Sequence, residues 1–237
     1  MNMAKYMTEF IGTFFLVLTI GLTVTHGLAM APLAIGCALM IMVYMGGHVS
    51  GAHYNPAVSL AVLMRGAMKP ADLVPYWVSQ VAGAIVAAVL VSLINTGFMV
   101  GAEEAATQVD KFFGPVPDGG LGLGSPGVWI VEILFTFALC LVVLNTATSD
   151  GTKNNSFYGL AIGFTVVVAA FAGGGISGGA FNPAVGVGPN LIKGTMGGDA
   201  AAMGNIVLHT VGPFIGGILA ALVFKIQEDH VVAEAAK

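Results

Sequence analysis

Asn-Pro-Ala occurs twice in this chain, at Asn55-Pro56-Ala57 and Asn182-Pro183-Ala184, and these are the residues best suited to handling a small polar molecule. An asparagine side chain offers amide donors and a carbonyl acceptor, and a helix N-terminus adds free N–H groups and about half a positive charge. Asn is a strong N-cap and Pro is favoured at the first helical position, so each tripeptide predicts a helix start. The predicted helices run over 55–65 and 182–193; at ~1.5 Å per residue each covers ~15 Å, half of a ~30 Å hydrocarbon core. Each is therefore expected to begin near a membrane midplane and end at a surface, where Arg65 and Lys193 suit both headgroups and the negative helix pole. Such a pair could hold a passing oxygen and repel cations. Bond-making chemistry has no comparable signature: there is no Cys/His cluster and no nucleophile with a base, and Gly173-Gly174-Gly175 lacks the Gly-Lys-Ser/Thr ending of a phosphate loop. No enzyme activity, metal or cofactor is expected.

The elements that must position these residues are apolar. Hydrophobic residues make up 57% of the chain and charged residues 8%, and the mean hydropathy is +0.90, which excludes an ordinary soluble domain with about a quarter charged residues. The net charge of -4 is dispersed, so no nucleic-acid partner is indicated. Cys37 and Cys140 lie in apolar segments and read as small core hydrophobes. Apolar runs near 8–29, 32–47, 72–95, 127–148, 157–174 and 204–225 predict six spanning helices beside the two half-helices. The first of them is too long for a signal-peptide core and is kept in the mature chain. The second and fifth runs are followed by a glycine-rich segment and a half-helix, where a re-entrant loop would fold back. Lys5, Arg65, Lys69, Lys153, Lys225 and Lys237 fall on one side of this arrangement and Lys111 and Lys193 on the other, so both termini are expected in the cytoplasm. The segment 96–126, with Glu103, Glu104, Asp110 and Asp118, is then an external bridge between two halves.

The halves repeat each other. Glu9-x-x-x-Thr13-Phe14 matches Glu132-x-x-x-Thr136-Phe137, and the stretch from Ser50 to Val58 matches that from Ser177 to Val185. Val81-Ala82-Gly83 reads as the counterpart of Val211-Gly212-Pro213. Three spanning helices per repeat is an odd number, so the second copy enters with opposite orientation and the half-helices meet at their N-termini. Gly159 with Gly163, and Gly212 with Gly216, have the spacing of close helix crossings. Glu9 and Glu132 are intramembrane carboxylates, a pattern that by default marks a transport or proton site.

With its doubled Asn-Pro-Ala and paired Glu-x-x-x-Thr-Phe helices, the chain resembles the aquaporins, the major intrinsic protein family of water and glycerol channels, over nearly its whole length. The resemblance implies one all-α channel domain, with repeats over 1–100 and 127–225, a linker over 101–126 and a cytoplasmic tail over 226–237. It implies a homotetramer in the cell membrane with a pore in each protomer, whose partners are water and small uncharged solutes. The carbonyls of Gly51, Ala52, His53, Tyr54, Gly178, Gly179 and Ala180 would form an acceptor ladder, Glu9 and Glu132 would brace the loops that carry it, and His48 would line the cytoplasmic vestibule. His53 and His26 read as ordinary polar residues near the interface.

By the same resemblance the selectivity filter falls at Ile35, Ala170, Gly179 and Val185. Water-selective members usually carry Phe, His, a small residue and Arg there, so this set is wider and less polar, and rejection of glycerol, urea or ammonia by size is in doubt. Gly186 leans towards the water channels, while His209-Thr210 matches neither branch. Three readings stay open: a passive channel for water and small neutral solutes, a secondary transporter, which also uses inverted repeats, and a non-conducting structural membrane protein.

Overall fold

The structure, a computed structural model, describes residues 2–96, 112–117 and 124–235. Eight α-helices are present among them: α1 (Met3–Thr25), α2 (Ala31–Ser50), α3 (Pro56–Met64), α4 (Pro70–Asn95), α5 (Pro126–Val143, carried on by a widened turn to Thr148), α6 (Tyr158–Ser177), α7 (Pro183–Thr195) and α8 (Ala200–Ala235). Six are long and apolar enough to cross a membrane, and α3 and α7 are the two short ones. Proline starts α3, α4, α5 and α7, where its missing N–H costs no hydrogen bond. Glycine stops α2 and α6: Gly51 (φ 89°) and Gly178 (φ 85°) take left-handed backbone, and each donates its N–H to the carbonyl four residues back.

The repeats are related helix by helix. α1 packs on α4 as α5 packs on α8, while α2 and α6 cross each other between the halves. That last crossing is reciprocal. A Cβ added at Gly36 would lie 2.5 Å from the Gly163 carbonyl oxygen, and one added at Gly163 would lie 2.5 Å from the Gly36 oxygen, so only glycine permits this approach. Gly159 instead makes room for the Tyr44 ring, and Gly212 faces the Cβ of Glu132.

Two expectations change. A Cβ at Gly83 would run into the Phe10 carbonyl and Phe14 N, and one at Gly216 into the Ile133 carbonyl and Phe137 N. Phe10 follows Glu9 as Ile133 follows Glu132, so Gly216, and not Pro213, is the counterpart of Gly83. Close backbone packing fixes that register, whereas apolar triplets slide past one another without penalty. Helix α8 also runs on through 226–235, where the sequence reading ends it at 225. One contact there reaches α3: Arg65 bonds Glu228 Oε1 at 3.0 Å and the Thr148 hydroxyl and carbonyl at 2.9 and 2.7 Å. Within the bridge 96–126, Thr96, Phe112-Phe113-Gly114-Pro115-Val116-Pro117 and 124–126 are described; Glu103, Glu104, Asp110, Lys111 and Asp118 lie outside the described residues.

Replacing Gly36 by Leu should therefore force α2 off α6, a loss of about 1–3 kcal/mol or more by overpacking. Thermal unfolding in detergent should show a lower midpoint for Gly36→Leu and none for Gly204→Ala, whose added Cβ meets nothing within 4 Å.

Candidate conduction pore at the half-helix junction

The two short helices meet through their capping asparagines. Asn55 Oδ1 accepts from Ala57 N at 2.9 Å and Asn182 Oδ1 from Ala184 N at 2.9 Å, each satisfying one of the free donors of its helix. The amide nitrogens cross over: Asn55 Nδ2 donates to the Phe181 carbonyl at 2.9 Å, and Asn182 Nδ2 to the Tyr54 carbonyl at 2.8 Å. An amide carries two N–H groups, so each asparagine keeps one for whatever occupies the adjoining cavity.

Before each asparagine the chain makes the same unusual path. Ala52 (φ 52°), Tyr54 (φ 49°) and Phe181 (φ 47°) are non-glycine residues in left-handed backbone, as is Gly179 (φ 65°). For the three non-glycine residues this costs of order 1–3 kcal/mol each unless the surroundings hold them. The surroundings here are the two fully buried glutamates. Glu9 Oε1 accepts from Ser50 Oγ (2.6 Å) and His53 N (3.0 Å), and Oε2 from Tyr54 N (2.7 Å). Glu132 repeats the pattern with Ser177 Oγ (2.7 Å), Ala180 N (3.0 Å) and Phe181 N (2.8 Å). With the N–H groups gathered by carboxylates behind the loops, backbone oxygens are left for the other side. Buried aromatic rings lock each turn: Tyr54 fills the space over Gly12 and Gly46, and Phe181 packs edge-on to Phe135 at 5.5 Å.

That other side is a cavity of about 540 Å³. Its apolar wall consists of pairs from corresponding positions of the repeats, Leu16 with Leu139, Ile35 with Ile162 and Val58 with Val185, and facing it are Ala52, His53, Tyr54, Gly178, Gly179, Ala180 and Phe181. Asn55 and Asn182 sit between the two loop segments in the same wall. Ile35, Ala170, Gly179 and Val185 all line this one cavity, and none of the four brings a charge or an aromatic ring. Gly51 lies instead in a second cavity of about 520 Å³ at the Arg65 end, beside Lys5, Lys69 and Asp72.

The histidines differ from expectation. His48 is exposed and lines neither cavity, because α2 turns it away from the axis; His53 is buried and lines both. His53 Nδ1 lies 3.1 Å from Ser59 Oγ, so this ring and not that of His48 stands where the two cavities meet. The sequence reading also missed the bridge segment. Phe112, Phe113 and Val116 fold into the mouth of the larger cavity near Lys193, which is paired with Asp199 at 3.4 Å. Phe113 is buried with Val17, Ala84 and Val91, and its only advance signal was an aromatic pair inside a glycine- and proline-rich stretch. Gln80, which donates to Glu9 Oε2 at 2.8 Å, and His209, beside Glu132, were likewise not singled out for bracing. Among the described residues no group of His, Cys, Asp or Glu side chains could hold a metal ion, and Cys37 and Cys140 are free thiols in helices α2 and α5.

Glu132→Ala should strand the Ala180 and Phe181 N–H groups and the Ser177 hydroxyl, about 1–3 kcal/mol for each group left buried without a partner. The expected outcome is a marked drop in thermal stability in detergent. A variant as stable as the parent would remove the bracing role.

The comparisons with known proteins agree with this geometry. The family model described as "Major intrinsic protein" matches residues 1–224. A curated relative from Lactiplantibacillus plantarum, "Glycerol uptake facilitator protein-like 6", is 34% identical over 228 residues, covering 95% of this chain and 98% of its own. "Aquaporin Z" of Rhodopseudomonas palustris is 32% identical over 241 residues, covering 95% and 94%. The crystal structure of the aquaglyceroporin from Plasmodium falciparum superposes with a TM-score of 0.80 at 20% identity, covering 94% of this chain and 96% of that one, which shows the fold. Six membrane-length helices, two short helices and a family match over nearly all of the sequence lead to one conclusion: this chain is a multi-pass membrane channel protein of the major intrinsic protein family.

Proposed function

We propose that this channel passively conducts water and also passes small neutral solutes such as glycerol, urea or ammonia. The observation that carries the reading is that one cavity is lined by an apolar wall, by the two loop segments whose N–H groups are held by Glu9 and Glu132, and by Asn55 and Asn182, while Ile35, Ala170, Gly179 and Val185 present only small or aliphatic groups. A water molecule passing the junction accepts from Asn55 and Asn182 and donates outward to the loop carbonyls, which orients it and interrupts proton relay along a file of waters. The N-termini of α3 and α7 place about half a positive charge each beside the path and oppose cations. Lacking an arginine at Val185, the channel relies on these helix ends for more of that barrier.

The relatives support both parts of the proposal, since their names divide between a glycerol facilitator and aquaporins at similar identity. Glu9 and Glu132 are both occupied by loop donors, which favours bracing over substrate binding and so a channel over a secondary transporter. We also propose a homotetrameric assembly in the cell membrane with both termini in the cytoplasm, following the lysine and arginine distribution.

Stopped-flow light scattering on reconstituted vesicles, comparing water, glycerol, urea and ammonia, tests the solute range. Val185→Arg should narrow the constriction and add donors, cutting glycerol and urea more than water, and Ala170→His added to it should sharpen the difference. If the unaltered channel already excludes glycerol and urea as strictly as an arginine-containing one, selectivity is set elsewhere along the path.

A further inference from the structure

The two inverted repeats serve as controls for each other, and behind their loops they differ in what holds the carbonyl at the end of the preceding helix. In the first repeat the Tyr76 hydroxyl donates to the Ser50 carbonyl at 2.6 Å, at the end of α2. In the second, His209 takes that place, with Nε2 2.7 Å from the Ser177 carbonyl oxygen. A carbonyl only accepts, so Nε2 carries the proton and Nδ1 is the bare nitrogen. His209 is fully buried, and Nδ1 has no hydrogen-bond partner among the described residues. A second difference lies beside it. Glu9 Oε2 accepts from Gln80 Nε2 as well as from Tyr54 N, but α8 has Pro213, which offers no donor, where α4 has Gln80. Glu132 therefore holds one donor fewer than Glu9, and His209 Nε2 stands 3.8 Å from its Oε1.

We propose that His209 is a positioning residue of the second re-entrant loop whose protonation, by making it the counter-ion of Glu132, lowers the water permeability of the pore. The groups around the ring leave few alternatives. On α5 it faces Glu132, at the end of α6 it faces Ser177, and on α7 it faces Gly186, where an added Cβ would lie 2.5 Å from the His209 Cβ. Glu132 is the one titratable group these contacts bring, and α8 carries no other charged residue between 200 and 224. Singly protonated, the ring donates to Ser177 and leaves Glu132 to the loop. A second proton bound at Nδ1 creates an imidazolium beside an oxygen that already accepts from Ser177 Oγ and Ala180 N. The new charge draws Oε1 towards the ring and away from Ala180 N, and Gly179 and Ala180 are cavity wall, so the row of acceptors loosens.

The inference rests on the passive-channel reading, and the test separates the two. Osmotic water permeability of vesicles carrying the full chain, His209→Tyr or His209→Gln is measured between about pH 5 and 8. Tyrosine supplies the neutral donor that the first repeat already uses, and glutamine supplies one in a smaller side chain should tyrosine not assemble. The unaltered channel should lose permeability towards acid, and both variants should lose less; any contribution from His53, which lines the path, remains in all three and cancels in the comparison. Profiles that superimpose would overturn the role of His209. Unfolding temperature in detergent over the same pH series reads the pairing without any flow: the difference between the parent and His209→Tyr should change with pH, and a constant difference would overturn the inference. Vesicles with no water flow at any pH would instead overturn the channel reading, leaving the unfolding series to decide on His209.

Discussion

Backbone groups brought to the middle of a membrane must find partners within the protein, because lipid supplies none. Two non-helical segments reach that depth here, and the structure is organised around satisfying them. Each loop turns two N–H groups to a buried glutamate while its residues line a cavity, on a path with left-handed backbone at 51, 52 and 54 and again at 178, 179 and 181. An ionised carboxylate suits this task, since it accepts several bonds at once and charge-assisted bonds are roughly twice as strong as neutral ones. The carboxylates stay behind the loops, so their charge serves the backbone and does not confront a passing solute. Further out, the glycine contacts Gly36 with Gly163, Gly83 with Phe10 and Gly216 with Ile133 bring the helices close enough to hold the glutamates in place.

The pore wall follows from the same arrangement. The loops and the two asparagines bring most of the polar groups, and most of the remaining wall is leucine, isoleucine, valine and phenylalanine, with Thr25 and Lys193 as polar exceptions. Sequence symmetry sets the overall path, and behind the loops the two repeats depart from it. Tyr76 against His209 and Gln80 against Pro213 are such departures, and both lie out of contact with the solute.

Much of this was legible in the sequence. Asn-Pro-Ala signals a capped helix start through residue chemistry alone, and its doubling beside Glu9 and Glu132 exposes the inverted repeat. Six apolar runs gave the spanning helices because length and hydropathy are local properties. What stayed hidden depends on contacts between distant residues. Phe113 reached the core only because the bridge folds back over α1 and α4, and no local pattern distinguishes that from an exposed loop. The register of α4 against α8 was misread because apolar triplets resemble one another, whereas the backbone approach at Gly83 and Gly216 is specific. His48 and His53, five positions apart, differ in burial because the end of α2 leaves one exposed and the loop buries the other, which no local pattern reveals. Continuation of α8 past 225 involves Glu228 meeting Arg65, a pair far apart in the chain.

The crossed bonds at the junction, from Asn55 to Phe181 and from Asn182 to Tyr54, make each half of the chain a partner the other requires. A first half inserted alone would reach the midplane with the Tyr54 carbonyl and the Asn55 amide facing lipid or water and no matching edge to close on. The loop is thus finished only when its inverted twin arrives, and the two halves form a mutual template. Biogenesis inherits that dependence. The order of synthesis sets which half waits.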